Sequence, residues 1–125
     1  MIRETKKIFD APDMRVGVTC IRVPVLRAHC ESINVEFKDG VRLTADDARE
    51  ILAASPGVSI EDNWAENAFP EPLKVSGGED VSVGRIRQDA SQPEGRGLEM
   101  FICGDQLLKG AAQNAVQIAE LLIEK

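Results

Sequence analysis

The sequence has 125 residues, 43% of them apolar and 29% charged, with a formal net charge of -6. That is enough chain for one domain, residues 1–125, to bury a core without disulfide or metal staples. The apolar content excludes a chain disordered by composition, and no run nears the ~20 apolar residues of a spanning helix. Lys and Arg alternate with acidic residues and form no stripe, so nucleic acid and membrane are set aside as partners. The first residues, Met1 to Lys7, are charged and lack the apolar stretch of a secretory signal. Three scattered cysteines (Cys20, Cys30, Cys103) and one histidine, with no C-x-x-C pair, argue for a reducing, cytoplasmic setting and against structural zinc.

In chain order, Ile2 to Phe9 has helical spacing and no capping residue ahead of it, as in the last turns of a helix. Val16, Val18, Cys20 and Ile21 alternate and predict a strand interrupted at Pro24, with Cys20 as a small core residue. Ile33, Val35 and Phe37 predict a second strand ending at the turn Lys38-Asp39-Gly40. Thr44 precedes Asp47 in a shortened capping box, so a helix over 45–54 follows, stopped by Pro56-Gly57. Val58 to Ile60 reads as a short strand and Glu61 to Gly78 as a long surface loop carrying the only tryptophan, Trp64. Val81 to Arg87 and Leu98 to Cys103 alternate around Gln92-Pro-Glu-Gly-Arg-Gly97 and should pair antiparallel. Leu107 to Ile123 is helical and apolar over most of its circumference, which calls for burial on two sides. The sum is an α+β domain, a mixed, mostly antiparallel sheet with helices on one face.

Chemistry concentrates in Thr19-Cys-Ile-Arg-Val-Pro-Val-Leu-Arg-Ala-His29 and the following Cys30 and Glu31. An arginine such as Arg22 grips a carboxylate or phosphate bidentately, and histidine is the side chain suited to proton transfer near neutrality. On a regular strand Arg22 and His29 would face opposite sides; they meet only if the backbone breaks between them, and Pro24 supplies a break. Taken singly, a lone histidine is more often a half-buried strand residue than a catalytic one. Gly104 to Asn114 is the second candidate, a strand-to-helix junction rich in small residues, but the chain contains no G-x-G-x-x-G fingerprint.

Three segments together, Thr19 to His29, Val83-Gly-Arg-Ile-Arg-Gln-Asp89 and Asp105 to Glu120, resemble in order and content the C-terminal part of bacterial aspartate-semialdehyde dehydrogenases. The resemblance implies a domain like the C-terminal catalytic and dimerisation domain of glyceraldehyde-3-phosphate dehydrogenase-like enzymes. It implies an oxidoreductase that reduces aspartyl phosphate with NADPH in lysine, threonine and methionine biosynthesis. By that likeness Arg22 holds the substrate carboxylate, His29 is the catalytic acid/base, and Asn114 contacts the nicotinamide end of NADP. Several parts of the family pattern are not in this sequence: the Ser-Asn-x-Asn-Cys segment with its nucleophile, the Rossmann domain, and the Glu-Glu-x-Lys segment. Cys30 stands where the family usually has serine. The expectation is therefore a partial active site, inactive alone and beginning in mid-helix, with NADP held weakly by this chain. Its expected partner is a second copy, a missing N-terminal half or a full-length relative; the alternative is a non-catalytic dimerisation or interaction module.

Overall fold

The structure, a computed structural model, describes residues 1–123. Its elements are α1 (Ile2–Ile8), β1 (Ala28–Glu36), α2 (Ala45–Ala53), β2 (Val58–Ile60), α3 (Pro72–Val75), β3 (Val81–Gln88), β4 (Gly97–Asp105), a π-helical turn (Leu108–Ala112) and α4 (Gln113–Ile123). The four strands form one sheet in the order β1-β4-β3-β2. β4 pairs antiparallel with both β1 and β3, while β2 joins β3 in parallel. This is the mixed, mostly antiparallel α+β sheet that the alternation predicts. No helix among the described residues is long and apolar enough to cross a membrane.

The β3–β4 hairpin is closed by its polar residues. The Asp89 N–H donates to the Gly97 carbonyl, and the Asp89 carboxylate accepts from the Ser91 N–H at 2.8 Å and the Ser91 hydroxyl at 2.7 Å. The Asn34 amide donates to the same carboxylate at 2.7 Å and ties β1 to the hairpin. These bonds, Asn34 first and then Ser91, hold the Asp89 carboxyl below the usual carboxylate range.

α2 starts where its capping box places it. The Thr44 hydroxyl accepts from the Asp47 N–H at 3.1 Å, and the Asp47 carboxylate accepts from the Thr44 N–H at 2.9 Å. Ala45, Ala48 and Leu52, at helical spacing, pack on Val83, Ile86 and Leu98 of the sheet. Gly57, at φ +73°, makes the left-handed turn that leads from α2 into β2.

Even alternation fails inside β3, where the register shifts between Gly84 and Arg87. The extra residue is a bulge with Arg85 at φ +53°, and it brings Val83 and Ile86, three apart, onto the same face. Asp62 holds it: its carboxylate accepts from the Arg85 N–H at 2.6 Å and the Ile86 N–H at 3.3 Å, with Arg49 Nε at 2.9 Å. A Cβ on the neighbouring Gly84 would collide with the Glu61 carbonyl oxygen and the Pro70 ring, so only glycine lets the 61–70 segment cross there. The stretch predicted as surface loop is thus partly structural. It carries Asp62, the buried Pro70 and the one-turn α3, whose Val75 packs with Ala28, Cys103, Cys30 and Phe101 on the sheet face away from α2, so helices cover both faces and not the one expected.

The structure departs from three further expectations. Residues 16–21 form no strand; the sheet begins at Ala28, and Val18, Ile21, Val23 and Leu26 are exposed. Alternation alone does not make a strand, because the backbone needs a neighbour to complete its hydrogen bonds, and this segment has none in the sheet. Cys20 is accordingly exposed, not core, with its thiol 3.3 Å from Met1 Sδ. The helix expected over 107–123 forms as the π-helical turn Leu108–Ala112 followed by α4, but Val116, Ile118, Leu121, Leu122 and Ile123 are all exposed, so its apolar circumference is not covered.

Candidate functional site

His29 is the second residue of β1 and lies opposite Gly104 of β4. Because side chains alternate along a strand, His29 and Glu31 share the face of their register neighbour Ile102, whereas Cys30 and Cys103 face the other way. The absence of a side chain at Gly104 leaves a hollow of about 130 Å³ bordered by His29, Glu31, Val81, Ile102, Lys109 and Gly110. An imidazole, a carboxylate and an ammonium thus line one opening. Such a set can move a proton and hold an anion.

The strand-to-helix junction that supplies Lys109 is built on Asp105, whose side chain is fully buried. Its carboxylate accepts from the N–H groups of Gly77 (2.6 Å), Leu107 (2.8 Å) and Leu108 (2.9 Å), and Arg27 Nε lies 2.7 Å away. Burial pushes this carboxyl up, but the bonds from Gly77 and Leu108, the Arg27 guanidinium and the Leu107 bond outweigh it and hold the group well below the usual carboxylate range. Asp105 therefore does two positioning jobs. It caps the turn after β4, and through Arg27 it anchors the entry to β1 just ahead of His29; the Gln106 N–H donates to the Arg27 carbonyl and extends the ladder there.

Downstream, the Ala112 N–H donates to the Leu107 carbonyl, a five-residue reach that inserts one extra residue into the helix. Within that turn Lys109 extends over Gly57, and its ammonium donates to Gln117 Oε1 at 2.8 Å. Asn114, the second residue of α4, is exposed beyond the turn. Arg22 is exposed in the segment before β1. The predicted break at Pro24 is a tight turn closed by the Val25 N–H on the Val23 carbonyl at 2.8 Å. Neither Arg22 nor Asn114 borders the hollow at His29. Arg27, Asp105, Glu31 and Lys109 lie in the two stretches singled out by sequence, but nothing in their spacing announces that Arg27 and Asp105 pair. Among the described residues no group of three or more His, Cys, Asp or Glu is arranged to hold a metal ion.

The profile of the semialdehyde dehydrogenase dimerisation domain matches residues 1–109. The chain belongs to the semialdehyde dehydrogenase family. Aspartate-semialdehyde dehydrogenase of Synechocystis is 52% identical over 125 residues, covering 100% of this chain and 36% of its own. The Prochlorococcus marinus enzyme of that name is 49% identical, with 100% and 35% covered. Among solved structures, aspartate semialdehyde dehydrogenase II of Vibrio cholerae, complexed with ASA, superposes with a TM-score of 0.88 at 37% identity, covering 100% of this chain and 35% of that one. The chain thus spans about a third of the length of these aspartate-semialdehyde dehydrogenases, and it matches their dimerisation domain.

Proposed function

We propose that this chain is the substrate-binding and dimerisation portion of an aspartate-semialdehyde dehydrogenase, working in the cytoplasm on aspartyl phosphate with NADPH, and that it does not turn over by itself. The observation that carries this reading is His29 opening on a hollow beside Lys109 in a chain that aligns from end to end with such dehydrogenases. In this reading His29 exchanges a proton with the reacting thiol and substrate, and Arg22 clamps the substrate carboxylate. The thiol is not one of this chain's. Cys30 and Cys103 face away from His29, and Cys20 is exposed beside Met1.

The residues present do not amount to a dinucleotide site. The hollow of about 130 Å³ is smaller than the ~300 Å³ at which small-molecule pockets begin, and the chain has no glycine-rich phosphate loop. Asn114 is the contact this chain would offer to the nicotinamide end, with the rest of NADP bound by other parts of the enzyme. The purified chain should give no sustained oxidation of NADPH with aspartyl phosphate. A hybrid in which it replaces the matching third of the Synechocystis relative should be active, with His29→Ala lowering kcat ~10²–10⁴-fold and Arg22→Ala acting mainly on KM. A hybrid whose activity is indifferent to His29→Ala overturns the reading.

The second reading, a dimerisation module, is favoured by the exposed apolar residues of α4 and of residues 18–26. Sedimentation of the chain at high concentration tests it. A dimer or larger species is expected, and a strict monomer counts against it.

A further inference from the structure

The antiparallel register of β1 and β4 sets Cys30 directly opposite Cys103. Their sulfurs are 3.5 Å apart, the Cys103 thiol donating to the Cys30 sulfur, and neither is in a disulfide. Directly opposed residues on antiparallel strands have Cα atoms about 4.5–5.5 Å apart, within the span that a disulfide bridges. The sulfurs therefore need to close only about 1.5 Å, which side-chain rotation supplies without moving the strands.

The two thiols are not equivalent. Cys103 is fully buried, packed with Ala28 and Val75. Burial first, and then its bond to Cys30, pushes its thiol up to about 12, so it stays protonated at neutral pH. Cys30 is half-buried on an edge strand, and its sulfur accepts the hydrogen bond from the Cys103 thiol.

We propose that Cys30 and Cys103 are a reversible redox pair, closed by a peroxide into a disulfide that fastens β1 to β4 beside His29. The Cys30 thiolate attacks one oxygen of hydrogen peroxide; an S–O bond forms, the O–O bond breaks, and the departing hydroxide takes a proton to become water. Cys30 is then a sulfenic acid. The Cys103 sulfur attacks it, an S–S bond forms as the S–O bond breaks, and the Cys103 proton leaves with the hydroxide as a second water. Two thiols are oxidised and one peroxide is reduced to two waters. A dithiol reverses the change by exchange. The disulfide lies on the face away from the hollow, so it restrains the strand that carries His29 without filling the site. This inference does not depend on the proposed dehydrogenase function.

The test is to treat the intact chain with a small excess of hydrogen peroxide, alkylate it, and read mass and peptide map. The expected result is a mass loss of about 2 Da, a Cys30–Cys103 cross-linked peptide, a Cys20 that still alkylates, and full reversal by dithiothreitol. Cys30→Ser should abolish the loss. In Cys103→Ala the oxidation should stop at a Cys30 sulfenic acid that dimedone traps. If Cys103→Ala does not fold, wild type and Cys30→Ser decide the matter. Oxygen additions of about 32 or 48 Da on Cys30 without a cross-link, or disulfides through Cys20, would overturn the proposal.

Discussion

The sheet with α2 and the segments that flank it, residues 1–27 and α4, use similar residues to opposite ends. In the sheet, Ile86, Leu98 and Cys103 are at most 1% exposed, and the polar groups at the bulge and hairpin are paired through Asp62 and Asp89. In the flanks, Ile21 is 75% exposed, Leu26 100% and Ile123 82%. The chain thus closes a core on each face of its sheet by itself and carries a further set of apolar side chains that the sheet does not cover. His29 sits on the boundary between the two, held on the sheet side by the Arg27–Asp105 pair.

Removing a core side chain has the largest expected effect. Leu98→Ala should cost ~2–5 kcal/mol by urea unfolding, the lost transfer energy plus a cavity. Next comes Asp105→Asn, which removes the charge that Arg27 faces and loosens both strand ends. Because the folded-state carboxyl is held below its unfolded value, ionised Asp105 favours the folded state above about pH 4, and that contribution drains away as pH falls further. The gap in melting temperature between wild type and Asp105→Asn should therefore be widest near neutrality and narrow on acidification below pH ~4. A constant gap would mean that the charge is not what Asp105 contributes.

Gly84→Ala should cost ~1–3 kcal/mol, since its Cβ has no room against Glu61 and Pro70 and the strand must shift. Thr44→Ala should cost ~1 kcal/mol through the lost cap, visible in the same urea titration. Smallest of all, Leu122→Ala should stay within ~0.5 kcal/mol because the side chain is 70% exposed. A large loss there would show that α4 is covered in solution and would break the division between core and flank.

α2, the β3–β4 hairpin and the helical nature of α4 are legible from local pattern, because capping residues, turn residues and periodicity act over a few positions. His29, Arg22 and Asn114 stand out in the sequence only through motif resemblance, and of the three only His29 borders the hollow. What pattern misreads is residues 16–21, where alternation lacks a neighbouring strand, and residues 61–78, where loop composition hides Asp62 and Val75. The Arg85 bulge and the π-helical turn each insert one residue, and neither leaves a compositional mark.

By itself the sequence determined the fold class, the ends of α2, the hairpin and the segments that hold the candidate chemistry, since all of these follow from short-range periodicity and turn preference. Only the tertiary structure decided that Asp105 grips Arg27, that Asp62 pins the bulge, and that Cys30 meets Cys103 while His29 turns to the opposite face. The physical reason is common to all three. Strand register is a relation between distant segments, and a one-residue change in it reverses which side chains meet.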